Sequence, residues 1–138
     1  MLDLSSLSDF FAATLAPRFP EIDIFGEVEP VRGPEDAVVP SLVVRSGPFT
    51  EIAPANYIYK TRFEFILYFN PDAAADFDAP AKLAELESAV ESMFSGWVGQ
   101  SIGELGVHLY EAKFLPVVPQ KSQLVFQYHI PVTLFLQF

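Results

Sequence analysis

Residues 122–138, Ser-Gln-Leu-Val-Phe-Gln-Tyr-His-Ile-Pro-Val-Thr-Leu-Phe-Leu-Gln-Phe, decide the class of fold. Leu124, Phe126, Tyr128, Ile130, Val132, Leu134, Leu136 and Phe138 hold the even positions, while Gln123, Gln127, His129, Thr133 and Gln137 fall among the odd ones. Period two marks a strand with one buried face. A helix of this composition would smear Gln and His round its apolar side every 3.6 residues. The alternation persists to Phe138, which predicts a terminal strand tied into a sheet.

Working outward from that strand, residues 106–118 carry Val107, Leu109, Tyr110, Phe114 and Leu115 and read as its hairpin partner, with a turn at Pro119 to Ser122. Before it, Leu83, Leu86, Val90, Met93, Phe94 and Trp97 recur at helical spacing, with Lys82, Glu85, Glu87 and Glu91 on the other side. Asp78 is placed to cap this helix and Pro80 to occupy its first turn, while Gly96, Gly99 and Gly103 mark its end. Upstream, Tyr57, Tyr59, Phe63, Phe65, Leu67 and Phe69 alternate with Asn56, Lys60, Arg62 and Glu64, predicting a strand whose buried face is almost wholly aromatic. Ser41 to Arg45 reads as a shorter strand, and Ser46 to Asn56 as its continuation, a bulge or a protruding hairpin arm. Ile22, Ile24 and Val28 alternate with Glu21, Asp23, Glu27 and Glu29 in a short strand with an acidic outer face. Leu4, Leu7, Phe11 and Leu15 define a first helix running to about Ala16, with Ser6 and Asp9 at capping-box spacing. The order helix, three strands, helix, two strands predicts an α+β fold, one mostly antiparallel sheet with both helices on one face, in a single domain over residues 1–138.

The absence of cysteine removes thiolate nucleophiles, thiolate metal sites and disulfides. With 51% hydrophobic against 19% charged residues the chain reads as globular. Eighteen acidic and eight basic residues give a formal charge of −10, which opposes sequence-independent binding to nucleic acid phosphates. The amino terminus, Met1-Leu2-Asp3-Leu4, has neither a basic region nor a long apolar run, so neither a secretory signal nor a membrane span is expected there.

Candidate chemistry is sparse. His108 and His129 with Glu111 could share a metal only if strand register brought them together, and alternation places His129 on an ordinary polar face. The acid pairs Glu27 with Glu29 and Glu85 with Glu87 fall on solvent faces, where no burial raises a carboxyl pKa for general acid work. No nucleophile elbow or phosphate loop is present. Trp97 reads as a lid on the core beneath a helix end rather than a ligand platform. The chain is therefore expected to be no enzyme and to need no metal or other cofactor. Apolar, proline-edged loops do stand out, at Ile52 to Ala55 and Val117 to Pro119, and such patches mark partner surfaces when exposed.

Taken together, the amino-terminal helix, the acidic strand, the long loop ending near Val38, the aromatic strand Tyr57 to Phe69, the helix Pro80 to Trp97 and the closing hairpin resemble the small tail-terminator or tail-completion proteins of tailed bacteriophages. That resemblance implies a structural virion protein of the tail and neck region, assembled in the host cytoplasm as a ring, commonly a hexamer. Such a ring caps the tail tube, faces the neck or head, and lets DNA pass without specific binding; no membrane is involved. Residues Phe49, Glu51, Ile52, Pro54 and Asn56 of the suggested arm are then candidates for the subunit interface, with the loops at Pro30 to Pro40 and Asn70 to Asp78. Asp23, Glu27 and Glu29 are candidates for an acidic lumen. The alternatives are another phage component, such as a head-to-tail connector or baseplate subunit, and a small-molecule-binding domain whose aromatic strand lines a pocket.

Overall fold

In a computed structural model of the chain, the residues described are 4–26, 40–48, 50–53, 55, 57–70, 77–121 and 126–137. Along them run helix α1 (Leu4–Leu15), a 3-10 turn (Ala16–Arg18), β1 (Asp23–Phe25), β2 (Ser41–Ser46), β3 (Thr50–Ala53), β4 (Ile58–Phe69), helix α2 (Ala79–Trp97), β5 (Gln100–Ser101), β6 (His108–Phe114), β7 (Val118–Lys121) and β8 (Phe126–Gln137). The fold is α+β. Its eight strands form one sheet of order β1-β2-β4-β8-β6-β5, with β3 also on β4 and β7 also on β8. The sheet is mixed, because β1 lies parallel to β2 while the other strand pairings are antiparallel.

Two twelve-residue strands, β4 and β8, form the spine and pair along their whole length, from Ile58 opposite Gln137 to Phe69 opposite Phe126. Each is flanked on its far side by two short strands in line. β2 covers residues 63–68 of β4 and β3 covers 58–60; β6 covers 132–137 of β8 and β7 covers 126–129. The expected order of three strands, a helix and two strands is thereby corrected to four, a helix and four. Within the segment read as a continuation, a bulge or an arm, residues 50–53 continue the line of β2 with a register shift between Glu51 and Ala53, while Phe49, Pro54 and Asn56 lie outside the described residues. The proposed turn at Pro119 is instead inside β7, an edge strand, where a proline is tolerated.

Pro131 poses the harder question, since it sits in the spine. Its carbonyl accepts a hydrogen bond from the Leu115 N–H at 3.1 Å, in the gap between the end of β6 and the start of β7. In an extended strand a residue's N and C=O point the same way, so the donor that proline lacks falls at a place where the ladder is already interrupted.

The even residues of β8 and the odd residues of β4 face the helices. Phe63, Phe65, Leu67, Val132, Leu134 and Leu136 are fully buried there, under Leu7, Phe11 and Leu15 of α1 and Leu86, Val90 and Phe94 of α2. Each such side chain contributes roughly 1.5–3 kcal/mol through burial. Phe11 is the centre of an aromatic knot, its ring centroid 5.1 Å from Phe63, 5.0 Å from Phe94 and 5.9 Å from Trp97. Trp97, half-buried, also lies 5.7 Å from Phe10 and so covers the core at the helix end. Tyr57 departs from the expected aromatic face: it precedes β4, has φ +58° and is 62% exposed.

Local signals account for the helix ends. Asp78 caps α2, its Oδ1 accepting the Ala81 N–H at 3.2 Å. The Ser6–Asp9 spacing, by contrast, lies inside α1, which is already helical at Leu4. After α2 the chain turns at Gly103, whose φ of +52° favours glycine and whose imagined Cβ would stand 2.6 Å from Phe10 Cζ, so that a larger residue would also push that ring aside. Lys82 ties α2 to the segment after the 3-10 turn: its ammonium donates to Glu21 Oε1, and to Glu85 Oε2 at 2.8 Å, and stands 5.8 Å from the Phe19 ring centroid. Ser8 Oγ is buried on the inner side of α1 with no hydrogen-bond partner among the described residues.

Candidate functional site

The outer face of the sheet, away from the helices, has two ends. At the β1 end, Val43, Ile66 and Tyr68 bury against one another with Phe25 beside them. Next to them Glu64 links two neighbours: its Oε1 is 3.2 Å from Arg62 Nη2 and its Oε2 is 3.4 Å from His129 Nδ1. The His129 Nε2–H donates to Gln127 Oε1 at 3.0 Å. This end is closed and paired.

At the β3 end the register sets Lys60 opposite Phe135 opposite Glu111, and Arg62 opposite Thr133 opposite Lys113. The ammonium groups of Lys60 and Lys113 approach the Phe135 ring from the two neighbouring strands, 6.0 Å and 5.2 Å from its centroid. This end is open and cationic. Phe135 is the odd-numbered aromatic that interrupts the polar face of β8, a signal visible in sequence; that lysines from β4 and β6 flank it follows from register alone.

The edges of the sheet carry the exposed large apolar residues. On the β3 side stand Ile52, 49% exposed, and Tyr57; on the opposite side stand Tyr110, Phe114, Leu115 and Val118, from β6, β7 and the link between them. β4 and β8 separate the two edges, so three inter-strand steps of about 4.8 Å lie between them. Among the described residues, β3 has no strand beyond it, and β6 has β5 beyond it only at His108 and Leu109.

Of the interface candidates, Ile52 is exposed on β3 and Glu51 contributes backbone to the same strand, opposite Tyr59. Phe49, Pro54 and Asn56 lie outside the described residues. Of the acidic candidates, Asp23 starts β1, half-buried, and its N–H donates to the Pro40 carbonyl at 3.0 Å; Glu27 and Glu29 lie outside the described residues, as do most of the loops 30–40 and 70–78. His108 and His129 are not brought together. His108 faces Gln137, and His129 lies eight positions earlier on β8, about 27 Å along a strand that rises 3.4 Å per residue. No group of three or more His, Asp or Glu fit to hold a metal occurs among the described residues.

The aromatic strand is a core wall. Phe63 and Phe65 are fully buried beneath Phe11 and Phe94, so these two rings are core and line no opening to solvent. One shallow depression is lined by Arg18, Phe19, Ala84, Glu85 and Ser88, and another by Arg45, Ser46, Gly47, Pro48, Arg62 and Glu64. Neither converges catalytic groups on a point. Among the described residues no helix is long and apolar enough to cross a membrane. No known protein family matches the sequence, and a search of curated proteins found no similar one.

Proposed function

We propose that the chain is the subunit of a closed ring of the tail-terminator kind, capping a phage tail tube and joining it to the neck or head. The observation that carries this reading is the pair of apolar edges on opposite sides of one sheet, Ile52 with Tyr57 and Tyr110 with Phe114, Leu115 and Val118. A ring needs two different, mutually complementary patches on each copy, because its contacts run head to tail. A two-fold dimer would need only one. Exposed apolar residues in contiguous groups on a soluble protein also mark surfaces that a partner covers.

The ring reading also accommodates the charge. Six copies at −10 each would carry about −60, and a lumen with that sign repels DNA in transit instead of holding it. The acidic residues weighed for that lining are Asp23, half-buried at the start of β1, and Glu27 and Glu29, which follow it in sequence. The partners are then further copies, the tail tube and the neck or head-completion proteins, with the virion as the place of action. A connector or baseplate subunit would share the ring but not the capping of tubes.

The test is native mass and electron microscopy of the purified chain, alone and with tail-tube subunits. Rings that bind tube ends and limit tube growth are expected. Rings that ignore tubes would move the chain to the connector or baseplate alternative, and a strict monomer indifferent to tubes would end the ring reading.

A further inference from the structure

Four of the chain's eight basic residues, Arg45, Lys60, Arg62 and Lys113, project from the outer face of the sheet, in a molecule of net charge −10. Arg62 is paired with Glu64. Lys60 and Lys113 have no carboxylate within ion-pair distance among the described residues; each leans on Phe135 alone. Two ammonium groups drawn to one ring from opposite sides repel each other, and the ring between them is half-buried, with Glu111 at the rim.

The complementary arrangement lies on the other layer of the same molecule. Glu87 and Glu91 are one turn apart on α2, beside the apolar stripe of Leu86, Val90 and Phe94, and neither has a cation within reach among the described residues. Carboxylates at this spacing sit about 5–6 Å apart at Cβ and repel each other along the helix. Both surfaces are thus left with like charges facing each other, of opposite sign, on opposite sides of one sheet.

We propose that the Lys60–Phe135–Lys113 surface docks the Glu87–Glu91 face of α2 from a second copy of this chain, head to tail. The ring of Phe135 supplies an apolar floor, the two lysines reach the two carboxylates, and each like-charge pair is relieved by the other. Because donor and acceptor surfaces are different patches, every copy can give one contact and receive one. At 0.15 M salt the Debye length is about 8 Å, so repulsion between the net charges of whole copies is screened while pairs in contact persist. The proposal deepens the ring reading and rests on it in requiring that copies associate.

Charge reversal tests it with the full chain. K60E/K113E and E87K/E91K are prepared separately, their far-UV spectra compared with the parent, and self-association followed by light scattering. Each variant alone is expected to need about tenfold or more higher concentration to assemble, because two attractive pairs become repulsive. An equimolar mixture of the two is expected to assemble as the parent does, since either chain's sheet then meets an oppositely charged helix. Parent-like assembly of both variants alone would overturn the docking while leaving the ring intact, and so would a mixture that fails to recover. A parent that stays monomeric to about 100 µM both alone and with tail-tube subunits would sink ring and docking together. A labelled single-stranded oligonucleotide retained by the parent and lost by K60E/K113E, with assembly unaltered, would reassign the face to nucleic acid.

Discussion

The two faces of the sheet are built from the same strands and differ in what completes them. On the inner face Phe63, Phe65, Leu67, Val132, Leu134 and Leu136 are covered by the two helices around the aromatic knot at Phe11, and the polar side chains buried on that side include Ser8 and Thr61, the latter donating to the Gly47 carbonyl. On the outer face Val43, Ile66 and Tyr68 with Phe25 close over themselves, and at the other end Arg62, Lys60 and Lys113 surround Phe135 and Thr133. The lesson is that one face settles the stability of the monomer, and the other is available for contacts beyond it.

The sharpest way to break this comparison uses neighbours in sequence. Phe65→Ala removes a fully buried ring from the inner face and is expected to cost about 3–5 kcal/mol; Ile66→Ala, one residue on and facing outward, about 2 kcal/mol. Urea unfolding with an unchanged m-value reads both. Equal losses would mean that the small outer cluster is as demanding as the core.

The smallest effect concerns the ion pair at the rim of α2. The hydrogen bond from the Lys82 ammonium holds the Glu21 carboxyl below its ordinary range, and Glu21, then Glu85, raise Lys82 above its own. A lowered carboxyl stabilises above its unfolded pKa and loses that contribution as pH falls through the folded value; a raised amine stabilises below its unfolded pKa and loses it as pH climbs through the folded one. Lys82→Met should therefore cost a few tenths of a kcal/mol, constant from about pH 6 to 9, because the partners are largely exposed. The cost should shrink below the ordinary glutamate range. Persistence of the full difference at pH 3 would show that Lys82 acts by packing on Phe19 instead.

Much of the inner face was legible in the sequence. Period two in residues 126–137, the stripe of α2 and the Asp78 cap are local patterns that need no knowledge of distant residues, and each is present as read. What was hidden depends on register. Nothing local says that Lys60 and Lys113, fifty-three positions apart, flank one ring, or that residues 118–121 pair with β8 instead of turning toward it. Tyr57 fits the alternation of β4 yet lies outside it, because a left-handed turn residue precedes the strand. The parallel course of β1 likewise follows from a connection, and not from the residues Asp23–Phe25 themselves.

The spine pairing also carries a consequence for how the chain reaches this state. Phe69 meets Phe126 across fifty-seven positions, whereas Ser46 meets Phe63 across seventeen and Phe114 meets Val132 across eighteen. Loop-closure entropy grows as three-halves RT times the logarithm of length, so the central contact costs about 1 kcal/mol more to initiate than either flanking one. The join that holds the sheet together is therefore the most expensive in entropy, and until β8 arrives β4 has a partner on one side only. A chain in which β8 had not yet paired with β4 would present to solvent the very strand edge that the folded molecule keeps at its centre.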